Sequence, residues 1–118
     1  MNITHSIITI NDNVCRFVVS GHLDKSVYDE EVSYASCYFN NTDNVCMIIN
    51  LHTIEKHRGH GYGYKILEYI KRICIERNIQ TIELDDCTDL FGQDNNIYLK
   101  AGFKYKEENQ PEMKLLLM

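Results

Sequence analysis

The sequence has one proline, no tryptophan and no long run of apolar residues. Its apolar runs are a few residues long, as at Leu115–Met118, whereas a helix that crosses a bilayer needs about 20. The segment Met1–Ile10 also lacks the basic start and the long apolar stretch of a secretion signal. The sequence therefore predicts an intracellular, cytoplasmic protein with no membrane partner.

The cysteines and histidines do not form a metal-binding pattern. No two cysteines make a C-x-x-C pair, so neither a zinc ribbon nor a disulfide framework is indicated. His52, His57 and His60 are close in sequence, but their spacing across a strand end and a loop does not hold three ligands in one tetrahedron. We therefore expect no metal. The five cysteines are Cys15, Cys37, Cys46, Cys74 and Cys87.

Composition and charge are those of a small acidic globular protein. The chain has 118 residues, of which 44% are hydrophobic and 25% charged, and its net charge is −5. These values predict one domain over residues 1–118, with a strand-rich half at 1–44 and a second half at 45–118. An acidic surface repels phosphate backbones, so nucleic acid is not expected as a partner, whereas small cations are tolerated. The acidic run Asp29–Glu31 is expected to be solvated.

Hydrophobic patterning predicts a mixed α/β (α+β) fold. The segment Gly61–Arg77 has helical periodicity, and a short helix capped by Asp94 is expected to run through Lys100. The run Val45–Thr53 is apolar on both faces, which predicts a central strand. The order strand–helix–strand along the chain implies that the two strands flanking the long helix form one parallel pair. The predicted strands are Ile7–Ile10, Val14–Ser20, Val32–Phe39, Val45–Thr53, Thr81–Asp86, Lys104–Lys106 and Met113–Leu117.

A glycine-rich loop joins the central strand to the long helix. Glycines at 59, 61 and 63 let the backbone approach a ligand, and the helix start and Arg58 favour an anion, typically phosphate. A Walker A loop is excluded because its Lys-Ser/Thr pair is missing. The spacing also departs from the G-x-G-x-x-G of dinucleotide-binding folds. The pattern R/Q-x-x-G-x-G/A fits Arg58, Gly61 and Gly63 without a gap.

A second motif lies near the end of the chain, in the Tyr-x-Lys-x-Gly-Phe order of Tyr98–Phe103. Together with the loop, the helix and the intervening strand, it resembles the acetyl-CoA-binding core of the GNAT superfamily of N-acetyltransferases. The resemblance covers Val45–Met118, more than half of the chain. It implies a mixed, mostly antiparallel sheet with a central splayed parallel strand pair, one long helix and one short helix.

The resemblance also implies how acetyl-CoA is bound. Backbone groups of Leu51 and Thr53 are expected to pair with the pantetheine arm in the gap between the splayed strands. The pyrophosphate is expected on the backbone amides of the loop. The residues expected to bind the cofactor are Leu51, Thr53, Arg58, Gly59, His60, Gly61, Tyr62, Gly63 and Asn95.

The resemblance implies a catalytic acid but does not single out a catalytic base. Tyr98 stands where the family often has a tyrosine that protonates the departing thiolate. Many relatives carry a glutamate in the central strand, but Met47–Leu51 contains no carboxylate. The candidates for the base are therefore His52, at the end of that strand, and Asp85 and Asp86, at the end of the next.

The acceptor is expected to be a small primary amine. Asp85, Asp86 and Asp89 form an acidic cluster that favours a polyamine. Glucosamine 6-phosphate, a protein amine and a CoA-binding module without turnover are the alternatives. Since Gly21–Glu31 is too short for the two helices that many relatives have there, the acceptor site is open, built from loops or completed by a second subunit in a homodimer.

Overall fold

The computed structural model describes residues 1–25, 28–88 and 96–117. Within them the chain forms one sheet, two α-helices and one turn of 3₁₀ helix at Glu55–His57. The helices are α1 (Tyr62–Glu76) and α2 (Ile97–Lys100). The strands are β1 (Asn2–Thr9), β2 (Val14–Lys25), β3 (Tyr28–Asn40), β4 (Val45–Thr53), β5 (Thr81–Asp85), β6 (Lys104–Tyr105) and β7 (Glu112–Leu116).

The sheet has the order β1-β2-β3-β4-β5-β7-β6. Only β4 and β5 pair in parallel, and every other neighbouring pair in this described sheet is antiparallel. The predicted mixed, mostly antiparallel sheet with one parallel pair is therefore confirmed. The parallel pair arises because α1 carries the chain from the end of β4 back to the start of β5.

Both helices cover the same face of the sheet. The ammonium of Lys71 in α1 donates to the carbonyl of Ala101, directly after α2, at 3.0 Å. One side of α1 is buried against the sheet, as its periodicity predicted. Among the described helices none is long and apolar enough to cross a membrane. The buried residues of α1 are Ile66, Leu67, Ile70, Ile73 and Cys74.

The opposite side of the sheet carries no described helix, and we call it the open face. In β4, Cys46 and Ile48 are buried on the helix face, whereas Met47 is 38% exposed and Ile49 61% exposed. The prediction that β4 is central is confirmed by its fourth place in the order. The reason given for it was wrong, because only one face of the strand is covered.

Most element boundaries follow the sequence signals. A turn at 11–13 joins β1 and β2, between the two strands predicted there, and Asn78 ends α1 with a φ of +60° that asparagine tolerates. Strands β1, β2 and β3 are longer than predicted, and β1 begins at Asn2 instead of Ile7, because β2 pairs with both of its neighbours along most of its length. The N-cap of α2 is Asn96, whose side-chain oxygen accepts from the backbone N–H of Tyr98 at 2.8 Å. The cap predicted at Asp94 lies outside the described residues.

Three cysteines meet in the core between the sheet and α1. Cys37, Cys46 and Cys74 are fully buried, and all five cysteines are free thiols. Hydrogen bonding with Cys37 raises the pKa of Cys46, and hydrogen bonding with Cys46 raises that of Cys74, each helped by burial. The thiols of Cys46 and Cys74 stay protonated, and all three cysteines pack as small apolar groups.

Candidate active site

A cleft opens in the middle of the sheet. Strands β4 and β5 are paired only at Val45–Thr81, Cys46–Ile82 and Met47–Glu83. Beyond this point β4 runs on for six residues to Thr53 without pairing to β5. We call the gap between residues 48–53 and 84–85 the cleft, and the Met47–Glu83 pair its vertex. The splayed parallel pair predicted from the resemblance is thus present.

A β-bulge lies just above the vertex. Ser36 is opposite Asn50 and Cys37 is opposite Ile48, so Ile49 has no partner on β3. A bulge bends the strand that carries the extra residue and increases its local twist. Here the bend occurs two residues beyond the last β4–β5 pair, where the strands begin to separate.

The edge of β4 presents backbone groups to the cleft. The N–H of Ile54 donates to the carbonyl of Val32, on the β3 side, at 2.8 Å. Backbone groups alternate along a strand, so His52 also faces β3, while Leu51 and Thr53 face the cleft. The carbonyl of Thr53 accepts from Nε of Arg58 at 3.1 Å. The two residues predicted to meet the pantetheine arm therefore have the required orientation.

The glycine loop leads from the top of the cleft to the start of α1. Gly59 and Gly61 have φ angles of +85° and +77°, in the left-handed region that favours glycine. A Cβ added at either position meets no atom within 4 Å. Gly61 is the N-cap of α1, makes no side-chain cap bond, and no acidic residue lies in the first turn. The first N–H groups of a 15-residue helix thus face an open space suited to an anion.

Gly63 lies in the first turn of α1, next to both α2 and the end of β4. A Cβ at this position would make ordinary van der Waals contacts, 3.4 Å from Cδ1 of Ile97 and 3.5 Å from Oγ1 of Thr53. The start of α1 is therefore close to the end of β4, which borders the cleft. His60 and Tyr62 flank the helix start, with ring centroids 5.5 Å apart.

Glu30 of β3 fastens the 3₁₀ turn that precedes the loop. Its Oε1 accepts from Nζ of Lys56 at 2.8 Å and lies 2.9 Å from Nε2 of His57. Hydrogen bonds from Lys56 and then His57 lower the pKa of Glu30 to about 2. Glu30 is therefore not the simply solvated charge that the sequence predicted, because its partners Lys56 and His57 come next to it only when β3 and the loop are brought together.

Tyr98 lies on the helix face of the cleft. Its side chain is 8% exposed and packs edge-on against Phe103, with 6.2 Å between the ring centroids. Burial raises the pKa of Tyr98 to about 12, and the charge of Asp86 adds to the effect. The hydroxyl therefore stays protonated at neutral pH and remains a hydrogen-bond donor.

Asp86 is the centre of a buried polar network. Its Oδ2 accepts from Nδ2 of Asn96 at 2.7 Å and from the hydroxyl of Tyr105 at 2.6 Å. Its Oδ1 accepts from the backbone N–H and the hydroxyl of Thr88, at 3.0 and 2.6 Å. Burial alone would raise the pKa of Asp86, but the bonds from Thr88, Tyr105 and Asn96 outweigh it and lower the pKa. The carboxylate of Asp86, a candidate base in the sequence analysis, thus accepts four hydrogen bonds.

The remaining predicted residues are spread over both faces. His52 lies on the open face beside Tyr34, with 5.5 Å between the ring centroids. Asp85 is exposed opposite Glu112, so it points away from Asp86. Asp89 and Asn95 lie outside the described residues. Nowhere in the described part of the chain do three or more His, Cys, Asp or Glu side chains form a group that could hold a metal ion.

Comparisons with known proteins agree with this geometry. The model of the Acetyltransferase (GNAT) family matches residues 7–103. Aminoglycoside 6'-acetyltransferase type Ii is 20% identical, with a TM-score of 0.67 over 87% of this chain and 70% of that one. Tetrahymena GCN5 is 12% identical, with a TM-score of 0.65 over 92% and 71%.

A third structure was solved with the cofactor. The PaiA N-acetyltransferase from Thermoplasma acidophilum, in complex with coenzyme A, is 14% identical, with a TM-score of 0.64 over 88% of this chain and 61% of that one. No curated protein sequence gives a significant match. Because the family model spans well over half of the chain, this protein belongs to the GNAT acetyltransferase family and is an acetyl-CoA-dependent N-acetyltransferase.

Proposed function

We propose that the protein acetylates a small cationic primary amine, with polyamines as the favoured acceptors. The observation that carries the proposal is the continuous path from the uncapped start of α1, along the free edge of β4, to the vertex at Met47 and Glu83. One end of this path suits phosphates, and the other opens onto the face of the sheet that carries Glu83, Asp85 and Glu112.

The residues along the path fit acetyl-CoA. The pyrophosphate would lie on the backbone amides from Arg58 to Gly63, where the helix dipole and the loop N–H groups favour negative charge. The backbone groups of Leu51 and Thr53 would hold the pantetheine arm as an added strand holds a sheet edge. Six residues of strand rise about 20 Å, so the arm reaches from the loop to the vertex.

Tyr98 would support the departure of the thiolate. The acetyl thioester, when bound, supplies an activated acyl group that a neutral amine can attack. Tyr98 holds its proton at Oη, on the helix face, and a hydroxyl placed there donates to the sulfur as negative charge develops. The amine approaches from the other side of the sheet, where no described helix covers the cleft.

Carboxylates on the open face favour a cationic acceptor. Glu83, Asp85 and Glu112 lie on this face at or just above the vertex, and Asp85 and Glu112 are exposed. Lys114, opposite Glu83, lies on the same face, so the carboxylates and not the net charge of the face carry the proposal. A polyamine carries a second ammonium several ångströms from the reacting one, so it can contact a carboxylate away from the reaction centre. This arrangement replaces the buried Asp86 as the basis for the polyamine proposal.

A phosphorylated amino sugar is the second candidate. Lys104, Lys106 and Lys114 line a cavity of about 600 Å³ on β6 and β7, next to Glu83. Three ammonium groups beside the vertex would suit the phosphate of glucosamine 6-phosphate.

Release of CoA from acetyl-CoA, followed across a panel of amines, tests the proposal. The panel contains spermidine, putrescine, glucosamine 6-phosphate and a lysine-containing peptide. We expect the highest kcat/KM with the polyamines and a loss of their use as salt rises, because screening weakens exposed charge pairs. A higher kcat/KM for glucosamine 6-phosphate would replace the first candidate by the second.

A further inference from the structure

We infer that Glu83 binds the acceptor ammonium and takes its proton, in a cavity on the open face at the vertex of the cleft. The inference rests on the proposed acetylation of a cationic amine and names the residue that performs a step for which β4 offers no carboxylate. It follows from the register of the sheet, the shape of the cavity and the present partner of Glu83.

The register places Glu83 at the point where β4 and β5 part. Met47 and Glu83 are the last partners of the parallel pair, and Tyr38 is opposite Met47 on the other side. In β5, Ile82 and Leu84 are buried on the helix face. Since side chains alternate along a strand, Glu83 points to the open face beside Met47 and Tyr38.

These three side chains border a cavity of about 290 Å³, which extends from the vertex away from the cleft, toward Asn40, Asp43 and Val45. Tyr38 and Met47 are 37% and 38% exposed and form apolar walls, while Asp43 and Glu83 supply two carboxylates. The volume is at the lower end for small-molecule sites, which suits a small amine. An aromatic wall also attracts a cation that lies over its face. The cavity thus has the chemistry of an alkylammonium site.

Glu83 already holds a primary alkylammonium group. Its Oε1 pairs with Nζ of Lys106, whose side chain is 41% exposed. An exposed lysine can move away at small cost, because ion pairs at the surface contribute little stability. An acceptor amine that pairs with Glu83 would displace the ammonium of Lys106, which lines the larger cavity on β6 and β7 and does not line the one bordered by Tyr38 and Met47.

The other carboxylates near the cleft are less suited. Asp86 faces the helix side and already accepts four hydrogen bonds. Asp85 lies two residues beyond Glu83, at the last residue of β5, where the cleft has widened. Glu83 is therefore the carboxylate that combines the vertex position with the open face.

The proton balance of the reaction is complete with Glu83 and Tyr98. The substrate ammonium gives one proton to Glu83, which later passes it to solvent. The neutral nitrogen then forms the C–N bond, and the C–S bond breaks. The nitrogen loses a second proton as the amide forms, and this proton replaces the one that Tyr98 gives to the thiolate. The products are the N-acetyl amine, CoA thiol and one released proton.

The test compares Glu83→Gln with Glu83→Asp and with the control Glu76→Gln, which is exposed at the end of α1. We expect Glu83→Gln to lower kcat/KM for spermidine about 100-fold, with acetyl-CoA affinity unchanged by calorimetry. Glu83→Asp should recover part of the loss, and Glu76→Gln should match the wild type. The pH dependence of kcat/KM for Glu83→Gln should shift toward the pKa of the free amine, since the enzyme no longer accepts the proton.

A second variant keeps the inference testable if Glu83→Gln does not fold. Lys106→Met frees Glu83, so the KM for spermidine should fall several-fold while the KM for acetyl-CoA stays the same. Wild-type kcat/KM in a folded Glu83→Gln, or an unchanged amine KM in Lys106→Met, would overturn the inference. Failure of the wild type to release CoA with any amine would instead reject the proposed function.

Discussion

Asn96 joins the end of β5 to the start of α2 through Asp86. Its Nδ2 donates to Oδ2 of Asp86 at 2.7 Å, and its Oδ1 accepts from the backbone N–H of Tyr98 at 2.8 Å. Asn96 is 1% exposed and Asp86 4% exposed. The side chain of Asn96 thus caps the N-terminus of α2 and donates to the carboxylate of Asp86. These two buried hydrogen bonds fix the position of Tyr98 relative to the cleft.

We expect Asp86→Asn to destabilise the fold. The amide cannot accept from Asn96, Tyr105 and Thr88 together, so at least one of these hydrogen bonds to residue 86 is lost. The expected loss in the free energy of unfolding is about 2–3 kcal/mol, measured by urea denaturation. Asp85→Asn, one residue away but exposed, should change it by less than about 0.5 kcal/mol.

This pair of variants separates a structural Asp86 from a catalytic one. If Asp86 were the base, Asp86→Asn would keep wild-type stability and lose kcat for spermidine. Normal urea unfolding together with a large fall in kcat would therefore restore the base assigned to it from the sequence.

Local signals in the sequence were sufficient to predict the elements that position the site, namely β4, the glycine loop and the start of α1. The predicted bounds of β4, Val45–Thr53, agree with the structure because turn residues precede the strand and the glycine loop follows it. The start of α1 could also be predicted from local sequence, because Gly61 adopts the positive φ with which the loop ends. The motifs at Arg58–Gly63 and at Tyr98 were recognisable because each lies within a few residues of chain.

Contacts between distant segments were not predictable in the same way. Glu30 meets Lys56 and His57 only after β3 has paired with β4, and nothing in the run Asp29–Glu31 marks one acid as different from the next. Asp86 and Asp85 look equivalent in sequence, yet they end on opposite faces of the sheet. The alternation of β5 is a local signal that separates Glu83 from Ile82 and Leu84, but the position of Glu83 at the vertex depends on where β4 and β5 stop pairing.

Substitution of Gly61 should weaken acetyl-CoA binding. Gly61→Ala places a Cβ in the open space above the loop and strains a φ of +77°. We expect the affinity to fall at least 10-fold, about 1.4 kcal/mol, in calorimetric titrations. Gly61→Asn provides the control for strain, because asparagine tolerates this φ while its side chain still enters the same space. Wild-type affinity in the folded Gly61→Asn variant would remove the loop from the cofactor site.

Glu30 should contribute stability that disappears in acid. Its pKa is lowered from 4.5 to about 2 in the folded protein, so the folded state favours the ionised form. The contribution is complete above pH 4.5 and is lost as the pH falls toward 2. Glu30→Gln should therefore lower the urea midpoint at pH 7 but approach the wild-type midpoint below pH 3. Glu108→Gln, exposed in the turn before β7, should show no such convergence, and a pH-independent difference in Glu30→Gln would contradict the assignment.

Tyr98→Phe should separate chemistry from binding. The substitution keeps the ring that packs on Phe103 and deletes only the hydroxyl, so we expect turnover to fall about 100-fold with acetyl-CoA affinity nearly unchanged. Because burial raises the pKa of Tyr98 to about 12, the wild type should keep its hydroxyl protonated through neutral and mildly alkaline pH and show no loss of turnover from Tyr98 there. Tyr69→Phe, which removes a hydroxyl that contacts His5 of β1, is the matched control and should turn over normally. Near-wild-type turnover in Tyr98→Phe would leave Tyr98 as a packing residue and require another donor for the thiolate.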